Sequence, residues 1–189
     1  MKTITSGTVR RGGLAADCGA SPILYGIRAN GYGAPQTLVA IEAPGGPVTD
    51  VRALGDGSVG YGGGLSWDAA ASRFFSFESD AFGLLSLVSL TVATGPDVLI
   101  PGFGFGLAGG LAYTGTELYG VVNDGFGDST LVAFDLLNAL AQPLFGLGQG
   151  FTGGLAWNPA DSMLYAIQND MFGESSLVQI DVGGRARVR

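Results

Sequence analysis

An all-β fold made of four copies of one small antiparallel sheet is the architecture this sequence predicts, on three observations. A Gly-Gly-Leu phrase stands at Gly12-Gly13-Leu14, Gly63-Gly64-Leu65, Gly109-Gly110-Leu111 and Gly153-Gly154-Leu155. After each phrase comes a β-prone apolar run and then an aromatic-glycine pair, Tyr32-Gly33, Phe82-Gly83, Phe126-Gly127 or Phe172-Gly173. The glycines of those pairs are 50, 44 and 46 residues apart, so the pattern is a repeat and not an accident of composition.

Each unit reads as short strands separated by Gly, Asn, Asp or Pro, and no long window sustains a 3.6-residue apolar period. In the first unit, residues 1–45, an opening strand over 3–10 precedes Gly12-Gly13-Leu14, Leu24-Tyr25-Gly26-Ile27 and Leu38-Val39-Ala40-Ile41. The second, 46–93, opens near Val48-Thr49-Asp50-Val51-Arg52 and continues through Phe74-Phe75-Ser76-Phe77 to Leu87-Val88-Ser89-Leu90. The third, 94–138, carries Leu118-Tyr119-Gly120-Val121 and Leu131-Val132-Ala133-Phe134. In the fourth, 139–184, Pro143-Leu144-Phe145-Gly146 reads as the first strand, Gly154-Leu155-Ala156-Trp157 as the second, 164–167 as the third and 176–181 as the fourth. Asn158-Pro159-Ala160-Asp161 is a proline-containing turn. Residues 185–189, with Arg185, Arg187 and Arg189, read as a solvated tail or as a grip for an acidic partner.

Four strands at this period is the spacing of a β-propeller blade. One meander leaves a face uncovered, so each must lean on a neighbour. Leu14, Leu65, Leu111 and Leu155, with Trp67, Tyr113 and Trp157, are the expected contacts. The expected architecture is therefore a single β-propeller domain of four four-stranded blades. It is either a closed four-blade ring, a segment of a larger propeller, which is favoured, or an open arc that self-associates through edge strands.

The 189 residues are 47% hydrophobic, ample for a core, and the 34 glycines recur at fixed positions as punctuation. Net charge is −7 and the only lysine is Lys2, so no basic stripe exists for a nucleic-acid backbone. The single Cys18 forms no intrachain disulfide and reads as a small buried hydrophobe. The charge-poor stretches 98–116 and 136–160 contain Gly and Pro breaks and the repeat phrase, so no membrane span is expected. The start of the chain is too short and polar for a signal peptide.

The chain contains no histidine, which removes Ser-His-Asp and Cys-His nucleophile schemes and His-based metal sites. Thiolate clusters, lysine Schiff bases and phosphate-binding lysine loops fall away with a single cysteine and a single lysine. Gly102-Phe103-Gly104-Phe105-Gly106 lacks the following helix of a phosphate-binding loop and reads as a glycine-rich turn near the propeller axis.

The best polar constellation is the turn at the aromatic-glycine pair: Asp80, Asn123-Asp124 and Asn169-Asp170, with acids following at Asp128 and Glu174. These side chains cap turns, which needs no ligand. As binding groups they would offer a ring of oxygens, or hold in each turn one hard cation such as calcium, although the spaced calcium-loop motif is absent. Tyr32, Phe82, Phe126 and Phe172 are the candidate aromatic platforms for carbohydrate, provided the rings are exposed and flanked by Asn or Asp. Asp56, Asp68, Glu78 and Asp80 supply carboxylates within one unit, but nothing in the spacing brings two together for acid/base work. No catalytic residue and no cofactor is assigned.

The units Gly153-Gly154-Leu155-Ala156-Trp157-Asn158-Pro159-Ala160-Asp161 and Ser176-Leu177-Val178-Gln179-Ile180-Asp181 resemble blades of bacterial β-propeller repeat proteins of the quinoprotein-like and YVTN-like kind. The resemblance covers nearly the whole chain and is specific for fold only. It implies a bacterial, extracellular or periplasmic setting, and the function expected beside it is a non-enzymatic module that offers a binding or scaffold surface to protein or carbohydrate, from a larger exported protein. Within that family the alternatives are a hydrolase or quinoprotein-like oxidoreductase with carboxylates in the central channel, or a lectin-like module. It also implies that a third-to-fourth-strand turn, as the aromatic-glycine turns are counted here, lies opposite the usual ligand face.

Overall fold

The computed structural model describes residues 15–17, 23–30, 34–43, 45–151, 153–183 and 185–188. The expected opening strand over 3–10, Leu14, Cys18 and Tyr32 lie outside the described residues. Among the described residues, sixteen strands form four antiparallel four-stranded sheets. The first holds β1 (Ala15–Asp17), β2 (Ile23–Arg28), β3 (Gln36–Glu42) and β4 (Val48–Leu54). The second holds β5 (Gly60–Asp68), β6 (Arg73–Ser79), β7 (Leu84–Leu90) and β8 (Asp97–Phe105). The third holds β9 (Leu107–Tyr113), β10 (Leu118–Asn123), β11 (Asp128–Asp135) and β12 (Leu140–Gln149). The fourth holds β13 (Leu155–Asn158), β14 (Met163–Asn169), β15 (Ser175–Asp181) and β16 (Arg185–Val188). No described helix is long and apolar enough to cross a membrane.

The repeat is as expected, but its phase is shifted by one strand. Each sheet begins at the strand that carries or follows Gly-Gly-Leu and ends with the strand expected to open the next unit. Pro143-Leu144-Phe145-Gly146 therefore lies in β12, the outer strand of the third sheet, and pairs with β11. Residues 185–188 are no tail: β16 is the outer strand of the fourth sheet, with Asp181 opposite Arg185 and Gln179 opposite Arg187. It occupies the place that β4 holds beside β3 in the first sheet. Pro101 to Phe105 end the outer strand β8, so this glycine-rich stretch is not near the axis.

Three apolar clusters join the four sheets in chain order. Ile27, Leu38 and Leu54 of the first sheet meet Leu65, Phe74 and Leu90 of the second. Phe75, Phe77 and Leu87 of the second meet Leu111, Leu118 and Phe134 of the third. Tyr119, Val121 and Leu131 of the third meet Leu155, Leu164 and Ile180 of the fourth. Sandwiched sheets bury both faces, which is why β6 reads Phe74-Phe75-Ser76-Phe77 without polar alternation. Trp67, Tyr113 and Trp157 are half-buried against these clusters. A polar bond crosses each junction: Gln36 Oε1 accepts from Tyr61 N at 2.5 Å, Ser66 Oγ from Tyr113 N at 2.7 Å, and Gln149 O from Gln168 Nε2 at 2.9 Å.

The inner strands β1, β5, β9 and β13 stand side by side, β5 against both β1 and β9, and β9 against β13. The Gly-Gly phrase makes this approach possible, because a Cβ on Gly110 would overlap the backbone of Gly154 and Leu155. Register slips in β5 and β9 near those glycines, between Gly62 and Ser66 and opposite Gly120 to Val122, mark β-bulges that bend the strands around the axis. The first and fourth sheets make no comparable contact among the described residues, so the four blades form an open arc.

Candidate functional site

Three repeat-related hairpin turns, 80–83, 124–127 and 170–173, join the second and third strands of their sheets. Each is built around one aspartate. Asp80 Oδ1 accepts from the N–H groups of Phe82 (2.8 Å) and Leu84 (2.9 Å). Asp124 Oδ1 accepts from Phe126 (2.8 Å), Gly127 (3.0 Å) and Asp128 (3.1 Å), and Asp170 Oδ1 accepts from Phe172 and Glu174 at 2.8 Å. A carboxylate that gathers its own loop's N–H groups fixes the turn locally and needs no packing to hold it.

The aromatic residue at the tip is thereby pushed into solvent. Phe82 is 88%, Phe126 93% and Phe172 85% exposed, with Met171 exposed beside Phe172. Burial is the ordinary fate of a phenylalanine, so three equivalent rings in water are a surface feature shared by the repeat. Of the expected platform residues, the structure exposes Phe82, Phe126 and Phe172, each flanked by its aspartate; Tyr32 is outside the described residues. Asn123 is buried and donates from Nδ2 to Ser129 Oγ (3.2 Å), so it braces the turn from within. Asn169 Oδ1 accepts from Ser175 Oγ at 2.6 Å in the same supporting role.

These turns lie on the rim where the chain crosses from blade to blade. Gly106, at the crossover from β8 to β9, donates to Gly83 O at 3.1 Å, and Asn169 N donates to Gly150 O, at the next crossover, at 3.0 Å. The expected position on the opposite face is corrected by the one-strand shift in phase, because the turns follow the second strand and not the third. Two further exposed apolar residues, Phe105 and Leu107, which the sequence did not single out as binding groups, flank Gly106 on this rim. They stand in the run Phe103-Gly104-Phe105-Gly106-Leu107, of which Phe103 turns into the core against Phe77 and Phe134 while Phe105 and Leu107 face solvent.

Each of the turn aspartates commits its Oδ1 to N–H groups of its own turn, and no group of three acidic or thiol side chains able to hold a metal occurs among the described residues. The carboxylates of the second unit are also kept apart. Asp68 is buried and paired with Arg73 at 3.1 Å, Glu78 Oε2 accepts from Tyr61 OH at 3.0 Å, and Asp56 caps Ser58 N at 2.9 Å. The Ser58 hydroxyl and N–H hold the Asp56 carboxyl below its usual range. Burial, then the Glu78 charge, pushes the Tyr61 phenol up.

No protein-family model matches the chain, and no curated protein matches it. Solved structures do. The nidogen/laminin complex matches at TM-score 0.67 and 17% identity, over 93% of this chain and 63% of that one. The SapL1 lectin in complex with alpha methyl fucoside matches at 0.62 and 9%, over 95% and 62%. A puromycin-hydrolyzing peptidase of Mycobacterium tuberculosis matches at 0.60 and 15%, over 99% and 30%. At these identities the likeness is one of fold, and propeller-type proteins are what the chain is similar to. It spans less than two thirds of each of those chains.

Proposed function

We propose that this chain is a non-enzymatic propeller module that binds a partner on the rim bearing Phe82, Phe126 and Phe172. The observation that carries the reading is the near-complete exposure of these three rings at equivalent turns. Aromatic side chains dominate recognition energetics, since they desolvate a large area with few rotatable bonds to freeze. Spacing by the blade repeat favours a ligand that offers several equivalent contacts. The setting favoured by the fold resemblance is extracellular or periplasmic.

Protein is the first ligand class, as in the nidogen/laminin complex; carbohydrate is the second, as in the fucoside-bound lectin. The pairing of each ring with an aspartate whose Oδ2 takes none of the turn's hydrogen bonds favours the carbohydrate reading specifically. An active site in the central channel finds less support. The inner strands carry two carboxylates, Asp17 on β1 and Asp68 on β5, and Asp68 is committed to Arg73.

The test compares the wild type with F82A/F126A/F172A on a glycan array and in cross-linked capture from bacterial envelope extract. Exposed rings contribute little to folding, so the variant should keep its melting temperature and lose the retained glycan or protein. Equal retention by both forms would contradict the reading.

A further inference from the structure

The four sheets repeat one cross-strand pair on their forward face: Ile27 opposite Leu38, Phe77 opposite Leu87, Val121 opposite Leu131 and Ile167 opposite Leu177. The first three pairs are buried under the following blade, none of their members more than 4% exposed, whereas Ile167 and Leu177 are 38% and 45% exposed. The rear face repeats a second pair: Leu24 opposite Ile41, Phe74 opposite Leu90, Leu118 opposite Phe134 and Leu164 opposite Ile180. All are buried under the preceding blade except Leu24 and Ile41, which are half-buried. Each internal junction unites one forward pair with one rear pair, as Phe77 and Leu87 share a cluster with Leu118 and Phe134. The arc thus carries both halves of one further junction, at its opposite ends.

We infer that the forward face of the fourth sheet, centred on Ile167 and Leu177, docks against the rear face of the first sheet of a second copy of this chain, at Leu24 and Ile41. The contact continues the interface already made three times within the chain, with matching residue types on both sides. Such a head-to-tail contact is heterologous, and it closes into a ring when the rotation permits. Two copies would supply eight blades, within the range propellers occupy. The partner meets a sheet face here, not an edge strand, so backbone pairing through β16 is not required.

Analytical ultracentrifugation of the full chain, at about 100 μM, where a micromolar contact is saturated, tests this. The wild type should sediment as two or more copies. I167D/L177D and L24D, checked for folding by circular dichroism, should each be monomeric, their association weakened roughly hundredfold by an unpaired charge in the contact. Their equimolar mixture should form a one-to-one dimer, because each variant retains the half that the other has lost. A wild type that stays monomeric would overturn the inference, whether the flank awaits another protein or the ring closes within one chain. So would assembly that survives in both variants, the signature of edge pairing, or a mixture that fails to dimerise although both variants are folded.

Discussion

Gly120 sits where the third sheet receives a phenylalanine from the second. A Cβ added there would lie 2.7 Å from Phe77 Cζ and 2.9 Å from Phe134 Cε2, distances that real side chains do not tolerate. The same place in the next sheet is Ala166, which shares its cluster with the smaller Val121. Small and large residues are thus matched across junctions, in keeping with close-packed interiors. Gly120→Val should cost about 1–3 kcal/mol by overpacking. Phe77→Ala should cost about 3–5 kcal/mol through the cavity it leaves. In F77A/G120V the two costs should sum to less than the single changes, because the valine enters the vacated space. Urea denaturation of the three variants checks all of this, and simple additivity would show that the residues do not meet. The small residue at this position was legible in the sequence as a repeat feature, but its opposing ring was not, since periodicity does not say which residues of two blades face each other.

Tyr119 on β10 couples an element to pH. Its ring is buried, its hydroxyl donates to Glu117 Oε2 at 2.8 Å, and burial followed by that hydrogen bond pushes its pKa up to about 12. An unfolded tyrosine titrates near ~10. Below that value both states hold the proton. Between the two values the native state keeps a proton that the unfolded state has released, so stability falls as pH rises through this window. Denaturant midpoints from pH 9 to 12 should therefore decline, and Tyr119→Phe should flatten part of the decline, Tyr61 remaining. An unchanged slope in that variant would place the hydroxyl in solvent. Strand positions were legible from the alternation of β-prone runs and glycine, but which strand starts a sheet was not. Within-sheet turns such as 80–83 and blade-to-blade crossovers such as Gly106 are both short and glycine-containing. The distinguishing mark was steric: only a strand beside the axis needs adjacent glycines to let another backbone approach, as Gly110 does. Read that way, Gly-Gly-Leu announces the innermost strand, and the aromatic turns move to the crossover rim.

At the scale of the molecule, stacking in chain order follows from faces that no single sheet can hide, and among the described residues it leaves at each end of the arc a flank that no other sheet covers. The repeated turns carry their phenylalanines outward on one rim, so the proposed recognition on the rim and the proposed assembly through the flanks would use separate surfaces. Fold and turn chemistry were readable from residue types at fixed spacing. The openness of the arc was not, because the pairs Ile27–Leu38 and Ile167–Leu177 are alike in sequence and differ only in what covers them. Disulfide trapping of L24C/L177C in a C18S background tests that openness directly. An open arc allows no such bond within one chain, and with the proposed head-to-tail contact the oxidised protein should run as covalent dimers or larger species. An oxidised monomer with the bond joining its own first and fourth sheets would contradict it.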